Sequence, residues 1–170
     1  MSPKILVAGI GNIFLGDDGF GVEVLQQLSR EPLPAHIEAV DFGIRGFDLA
    51  YALMKPYDAV ILVDALPRGG TAGTLYTIEP DLSGLDSVGP EEIDTHGMNP
   101  MKVLGMVKSM GGQTNRLFVV GCDPEPLGEE DDLERMGLSP PVALAVDEAV
   151  AMIHSLIERI CAEQQAVAAD

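Results

Sequence analysis

The chain has 170 residues, 46% of them hydrophobic, enough to bury a real core but too few for two comfortable domains, so residues 1–170 are expected to form a single domain. Asp and Glu total 27 against 10 Lys and Arg, a formal charge of −17 that would repel a phosphate backbone and anionic lipid alike, so neither nucleic acid nor a membrane surface is an expected partner. No apolar run approaches the roughly 20 residues that span a bilayer, "MSPKILVAG" lacks a signal-peptide pattern, and Cys122 and Cys161 show no metal-like pairing, which together favour a reducing cytoplasm.

In chain order, "KILVAG" reads as a buried strand, Gly19 to Ser29 as a helix, "IEAVDFG" as a second strand and Phe47 to Met54 as a short helix. "DAVILVDA", Asp58 to Ala65, is a third and almost wholly apolar strand. Runs of this kind, alternating with helices, predict a parallel sheet covered on both faces. "GTLYTIEP" follows after only "LPRGGTA", too short for a parallel crossover, so the fourth strand should run antiparallel at an edge. Asp81 to Thr95 has poor periodicity and reads as a loop. "GMNPMKVLGMVKSMG" sets Met98, Met101, Val103, Leu104, Met106 and Val107 largely along one side of a helix, a pattern of core packing more than of a soft-metal site. "RLFVVGCDP" is a fifth strand, and a long helix begins at Ser139 as cap with Pro140 at its first position. Residues 163–170 are expected to fray. The fold class is therefore α/β, a three-layer sandwich with a five-stranded, mostly parallel twisted sheet, one antiparallel edge strand and helices on both faces.

The functional crevice of such a sheet lies beyond the carboxyl ends of its strands. Asp17 and Asp18 follow the first strand, Asp41 ends the second, Asp64 ends the third and Asp123 follows the fifth. The helix that delivers the fifth strand must start at the same edge, so the loop from Asp81 climbs back and brings His96 beside these acids. The first turn, "GIGNIFLGDDGFG", lacks the G-x-G-x-x-G spacing of a phosphate site, since Phe14 stands where the third glycine would be. Two adjacent carboxylates suit a cation. Asp18, Asp64 and His96 would supply two oxygens and one nitrogen with further positions open, a donor set for a borderline divalent metal.

Duller roles compete at each position. Asp17 reads as a cap of the helix that starts at Gly19, Asp64 can be a turn former, and His96 can be satisfied by its own neighbours. His154 lies inside the last helix and His36 carries no signal. No serine or cysteine has an evident partner base.

Five segments, "GIGNIFLGDDGFG", "DFGIRG", "VILVDA", "THGMN" and "GLSPPVALAVDEAV", taken together resemble the hydrogenase maturation proteases, over a stretch from Ile5 to about Ile160. The resemblance implies a five-stranded sheet between helices and an endopeptidase that removes a short C-terminal extension from a nickel-iron hydrogenase large-subunit precursor after nickel insertion. It implies nickel contact at Asp18, Asp64 and His96, with the nickel presented by the precursor and other divalent metals able to occupy the site. The first of these acids is Glu in some members of the family. Asp41, Gly43 and Gly46 match the family's D-x-G-x-x-G segment and are candidates for substrate positioning, the glycines allowing a close approach of substrate backbone. A monomer forming a transient complex with the precursor is expected. The alternatives are a non-proteolytic nickel-binding maturation chaperone, or a metal- or nucleotide-binding module in which Asp41 meets a ribose.

Overall fold

The computed structural model describes residues 1–82, 100–112, 116–126 and 136–168. In chain order the elements are β1 (Ile5–Ile10), a single 3-10 turn (Gly16–Gly19), α1 (Phe20–Leu28), β2 (Ile37–Gly43), α2 (Gly46–Leu53), β3 (Ala59–Ala65), β4 (Leu75–Ile78), α3 (Pro100–Ser109), β5 (Leu117–Cys122) and α4 (Pro140–Ala168). The three most apolar runs, β1, β3 and β5, are buried at every residue, as strands covered on both faces must be. They occupy the middle of a sheet ordered β2-β1-β3-β5-β4. The β1–β2, β1–β3 and β3–β5 pairs are parallel and β4 is antiparallel to β5. The short link after Ala65 cannot make a crossover, so β4 turns back and becomes the expected antiparallel edge.

Alternation along the strands divides the core in two. Ile5, Val7, Ile61, Val63, Phe118 and Val120 pack under α1 and α4, while Leu6, Ala8, Val60, Leu62 and Val119 pack under α2 and α3. Each of these Val, Leu, Ile and Phe side chains contributes about 1.5–3 kcal/mol on burial, so each helix is held by the strand face it covers. By length and composition α4 would pass as a membrane span. Its apolar stripe of Val142, Ala145, Ala149, Ile153, Leu156, Ile157 and Ile160 is instead spent on the sheet.

Two local expectations change. The turn before α1 is a 3-10 turn that already includes Asp17 and Asp18, so these acids lie inside helical backbone and not ahead of it. The last helix runs unbroken to Ala168, past residue 163, where a frayed tail was expected. The topology also singles out one place. The chain leaves β1 for β2 on one side and reaches β3 on the other, so the carboxyl ends of β1 and β3 flank the point where strand order reverses, where α/β sheets open a crevice.

Candidate functional site

The turn after β1 is built by close backbone approach. Gly11 has φ +139°, and a Cβ there would lie 1.8 Å from the carbonyl oxygen of Asp18. A Cβ on Gly21 would lie 2.2 Å from the carbonyl oxygens of both Ile10 and Val63. Only glycine lets the loop fold over itself and α1 press onto β1 and β3 at their carboxyl ends. These glycines serve helix–strand packing; no phosphate cradle is needed to explain them.

The five acids near the strand ends take different parts. Asp17 is buried, and both its oxygens are occupied: Oδ1 accepts the Ser139 N–H at 2.6 Å, and Oδ2 accepts the Glu125 N–H at 2.8 Å and the Ser139 hydroxyl at 2.9 Å. It caps neither the 3-10 turn nor α1, which corrects the capping role read from sequence. Asp123 is also buried and accepts the Arg68 N–H through Oδ1 at 2.5 Å, while its own N–H and carbonyl bond Thr74 and Gly73. These two carboxylates staple loops.

Asp18 and Asp64 make no such staple among the described residues. Asp18 is half-buried, and its Oδ2 accepts the Asn12 N–H at 2.8 Å. Among the described residues no hydrogen-bond donor engages its Oδ1. Asp64, at the end of β3, is only 4% exposed. Burial first, and then the facing charge of Asp18, push its carboxyl up to about 8, partly offset by the Ala65 N–H. A carboxylate pair of this kind is unfavourable when both members are ionised and unpaired. A cation removes that conflict, and the oxygen donors suit a divalent metal. Among the described residues no group of three His, Cys, Asp or Glu converges on one point.

His96, the expected third ligand, lies outside the described residues. Asp41 and Gly43 end β2, and Gly46 begins α2. Phe42 is an extra residue where the β1–β2 register shifts, a bulge that turns its ring into the core under α2. Gly43 has φ +53°, with the Gly11 N–H donating to its carbonyl at 3.0 Å. None of the three residues of this motif lines the cleft over the carboxyl ends of β1 and β3, although their neighbour Ile44 does.

The cleft has a volume of about 620 Å³ and runs over the carboxyl ends of β1 and β3. Asp17, Asp18, Asp64, Asp123 and Glu125 line it, together with Leu15, Ile44, Leu66 and Pro67, a mixture of acids and apolar walls able to hold an extended polypeptide and a cation. Cys122 is fully buried, and burial pushes its thiol up to about 11; a protonated thiol is a poor nucleophile at neutral pH. His154 is exposed, and His36, 3.8 Å from the Cys161 sulfur, precedes β2 at the amino-terminal edge of the sheet, opposite the carboxyl ends where the acids gather. Sequence reasoning missed the stapling roles of Asp17 and Asp123, because their partners stand 122 and 55 residues away and leave no local pattern.

A sequence profile of the family described as hydrogenase maturation protease matches residues 22–156. A crystal structure of a hydrogenase 2 maturation peptidase from a Thaumarchaeota archaeon superposes with a TM-score of 0.68 at 31% identity, covering 91% of this chain and 98% of that one. A hydrogenase maturating endopeptidase from Escherichia coli gives a TM-score of 0.71 at 25% identity, covering 92% and 93%. The hydrogenase 2 maturation protease of Escherichia coli is 28% identical over 152 residues, 88% of each chain.

Proposed function

The chain belongs to the hydrogenase maturation protease family and is an endopeptidase, and on that premise we propose that it removes the C-terminal extension of a nickel-iron hydrogenase large-subunit precursor once nickel is in place. The nickel belongs to the substrate. Asp18, Asp64 and His96 engage it as the precursor presents it, so that cleavage waits on metal loading. The observation that carries this reading is the pair formed by Asp18 and Asp64 at the reversal of strand order, where a buried carboxyl is held near pKa 8 beside another acid.

Within this reading the protein's own groups do three things. Asp64 gives up its proton on meeting the cation, because the positive charge reverses the penalty that kept it protonated. Asp18, steadied by the Asn12 N–H through Oδ2, turns Oδ1 to the metal. The apolar and glycine-rich walls hold the chain end in extended form across the cleft, with Asp41 and the Gly43 and Gly46 backbone at its margin. The Lewis acidity of nickel is what the substrate brings to hydrolysis, either on the scissile carbonyl or on water. No thiol or hydroxyl nucleophile is required. A cytoplasmic monomer acting in a transient complex fits the strong negative charge.

Purified protein incubated with nickel-loaded and nickel-free precursor, its products weighed by mass spectrometry, tests this. Loss of a C-terminal peptide from the loaded precursor alone is the expected result. Equal cleavage of both would remove nickel recognition. A full-length precursor in both reactions would favour the non-proteolytic chaperone as this chain's role.

A further inference from the structure

Beside the cleft, large apolar side chains face solvent on two adjacent corners. Phe14 and Leu15, in the loop after β1, are 59% and 40% exposed. Ile44, Phe47 and Tyr51, on the β2–α2 corner and the first turns of α2, are 68%, 65% and 71% exposed. Phe47 and Tyr51 are four residues apart on one helix and therefore share a face. Leu15 and Ile44 belong both to this surface and to the cleft lining, so the apolar surface is continuous with the cleft lip. The corner is held in shape. The Arg45 guanidinium donates to the carbonyl oxygens of Asp41 and Phe42 and to the Asp48 carboxylate, and the Gly11 N–H ties the two loops together at Gly43.

Single exposed apolar residues are ordinary, but a contiguous patch rich in Phe, Tyr and Ile with an Arg among them has the composition of a protein–protein contact. We propose that this surface is the docking site for the folded body of the hydrogenase large-subunit precursor, as distinct from the extension that enters the cleft. The inference rests on the proposed reading of the cleft. A nickel held by the precursor's own residues can reach Asp64, itself almost wholly buried, only if the precursor surface around that nickel comes down on the cleft lip, and the lip on this side is Leu15 and Ile44. A second copy of the chain is disfavoured as occupant. It would carry the same −17 charge and would cover the lip that the substrate must cross.

The test is steady-state cleavage of nickel-loaded precursor by the Phe47→Ser/Tyr51→Ser double variant, with Leu144→Ser, a still more exposed apolar site on α4, as control. Both replaced side chains face solvent, so circular dichroism and the melting temperature should match the parent. The expected result is a KM raised by about tenfold or more, the loss usual for two interfacial aromatics, with kcat unchanged and the control unaffected. A KM within twofold of the parent overturns the proposal, as does a raised KM accompanied by a dimer-to-monomer change in light scattering, which would assign the surface to self-association. Asp64→Asn is run alongside. Full cleavage by that variant would remove the metal-site reading, whereas an inactive Asp64→Asn with an unchanged KM in the double variant would remove the docking surface alone.

Discussion

Ser139 and Asp17, 122 residues apart, are joined by two hydrogen bonds: the Ser139 N–H donates to Oδ1 at 2.6 Å and its hydroxyl to Oδ2 at 2.9 Å. The start of α4 is thereby clamped onto the turn that carries Asp18. The clamp is covered on both sides, Ser139 and Asp17 being 3% and 8% exposed, so its polar groups have no water to fall back on if one partner is removed.

Ser139→Ala leaves the backbone bond and removes the hydroxyl, and should cost about 1–2 kcal/mol. Asp17→Ala strands the two buried donors of Ser139 and the half-buried Glu125 N–H and should cost about 3 kcal/mol or more. Urea unfolding of the two variants reads both values. Equal and small losses would mean that the clamp is replaceable by solvent. Cleavage should suffer more in Asp17→Ala than in Ser139→Ala, since only the former frees the turn on which Asp18 sits.

Asp64 should make the stability of the metal-free protein fall with pH. Its carboxyl titrates near 8 in the folded chain against an ordinary 3.8, so between these values the folded form holds a proton that the unfolded form has lost. The contribution is complete below about pH 3.8 and declines as pH rises to about 8. Asp64→Asn has no proton to lose. It should be more stable than the parent at neutral pH, with a gap that widens from pH 5 to pH 8, while cleavage is abolished. Thermal melts across that range decide the point, and parallel curves for the two proteins would contradict it.

Nickel added to the enzyme alone should bind more tightly as pH approaches 8, by up to about tenfold per pH unit from Asp64, because proton and cation compete for the same carboxylate. Calorimetric titrations in buffers of different ionisation enthalpy should show proton release on binding. A flat affinity from pH 6 to pH 8 would speak against Asp64 as a ligand. Asp18→Asn and His96→Ala should each weaken the binding.

A Cβ at position 11 would meet the Asp18 carbonyl at 1.8 Å, which no side-chain adjustment relieves. Gly11→Ala should therefore displace the 3-10 turn and lose cleavage out of proportion to its loss of stability. Gly111→Ala, at a position with open space but φ +81°, should cost only the backbone strain of about 1 kcal/mol and leave cleavage intact.

Cys122→Ala should keep full activity, and alkylating reagents should not inhibit the parent, because the thiol is buried and its burial, with the charges of Asp17 and Asp123 nearby, keeps it protonated. Inhibition that Cys122→Ala abolishes would restore a thiol mechanism.

Much of this was legible in the residues. The runs "ILVAGI", "AVILVDA" and "LFVVGC" are apolar at nearly every position, and strands of that kind are stable only with cover on both faces; the short link after Ala65 then leaves β4 no choice but to turn back. The acids at strand ends were legible for the same reason, since a parallel sheet puts all its carboxyl ends on one edge. Local chemistry could not say which of those acids are free to meet a ligand. Asp17 and Asp18 are neighbours with the same side chain, yet one is saturated by Ser139 and Glu125 and the other, among the described residues, keeps an oxygen open. That difference is set by donors that arrive from more than a hundred residues away. The ionisation of Asp64 is likewise a property of its enclosure and of the charge facing it, and neither is encoded within reach of position 64. Order along the chain thus determined the sheet, its edge strand and the edge where the acids gather, because periodicity and link length act locally. Tertiary structure decided which carboxylates became staples and which face the cleft without that role, because hydrogen-bond satisfaction and desolvation depend on whatever folding brings alongside.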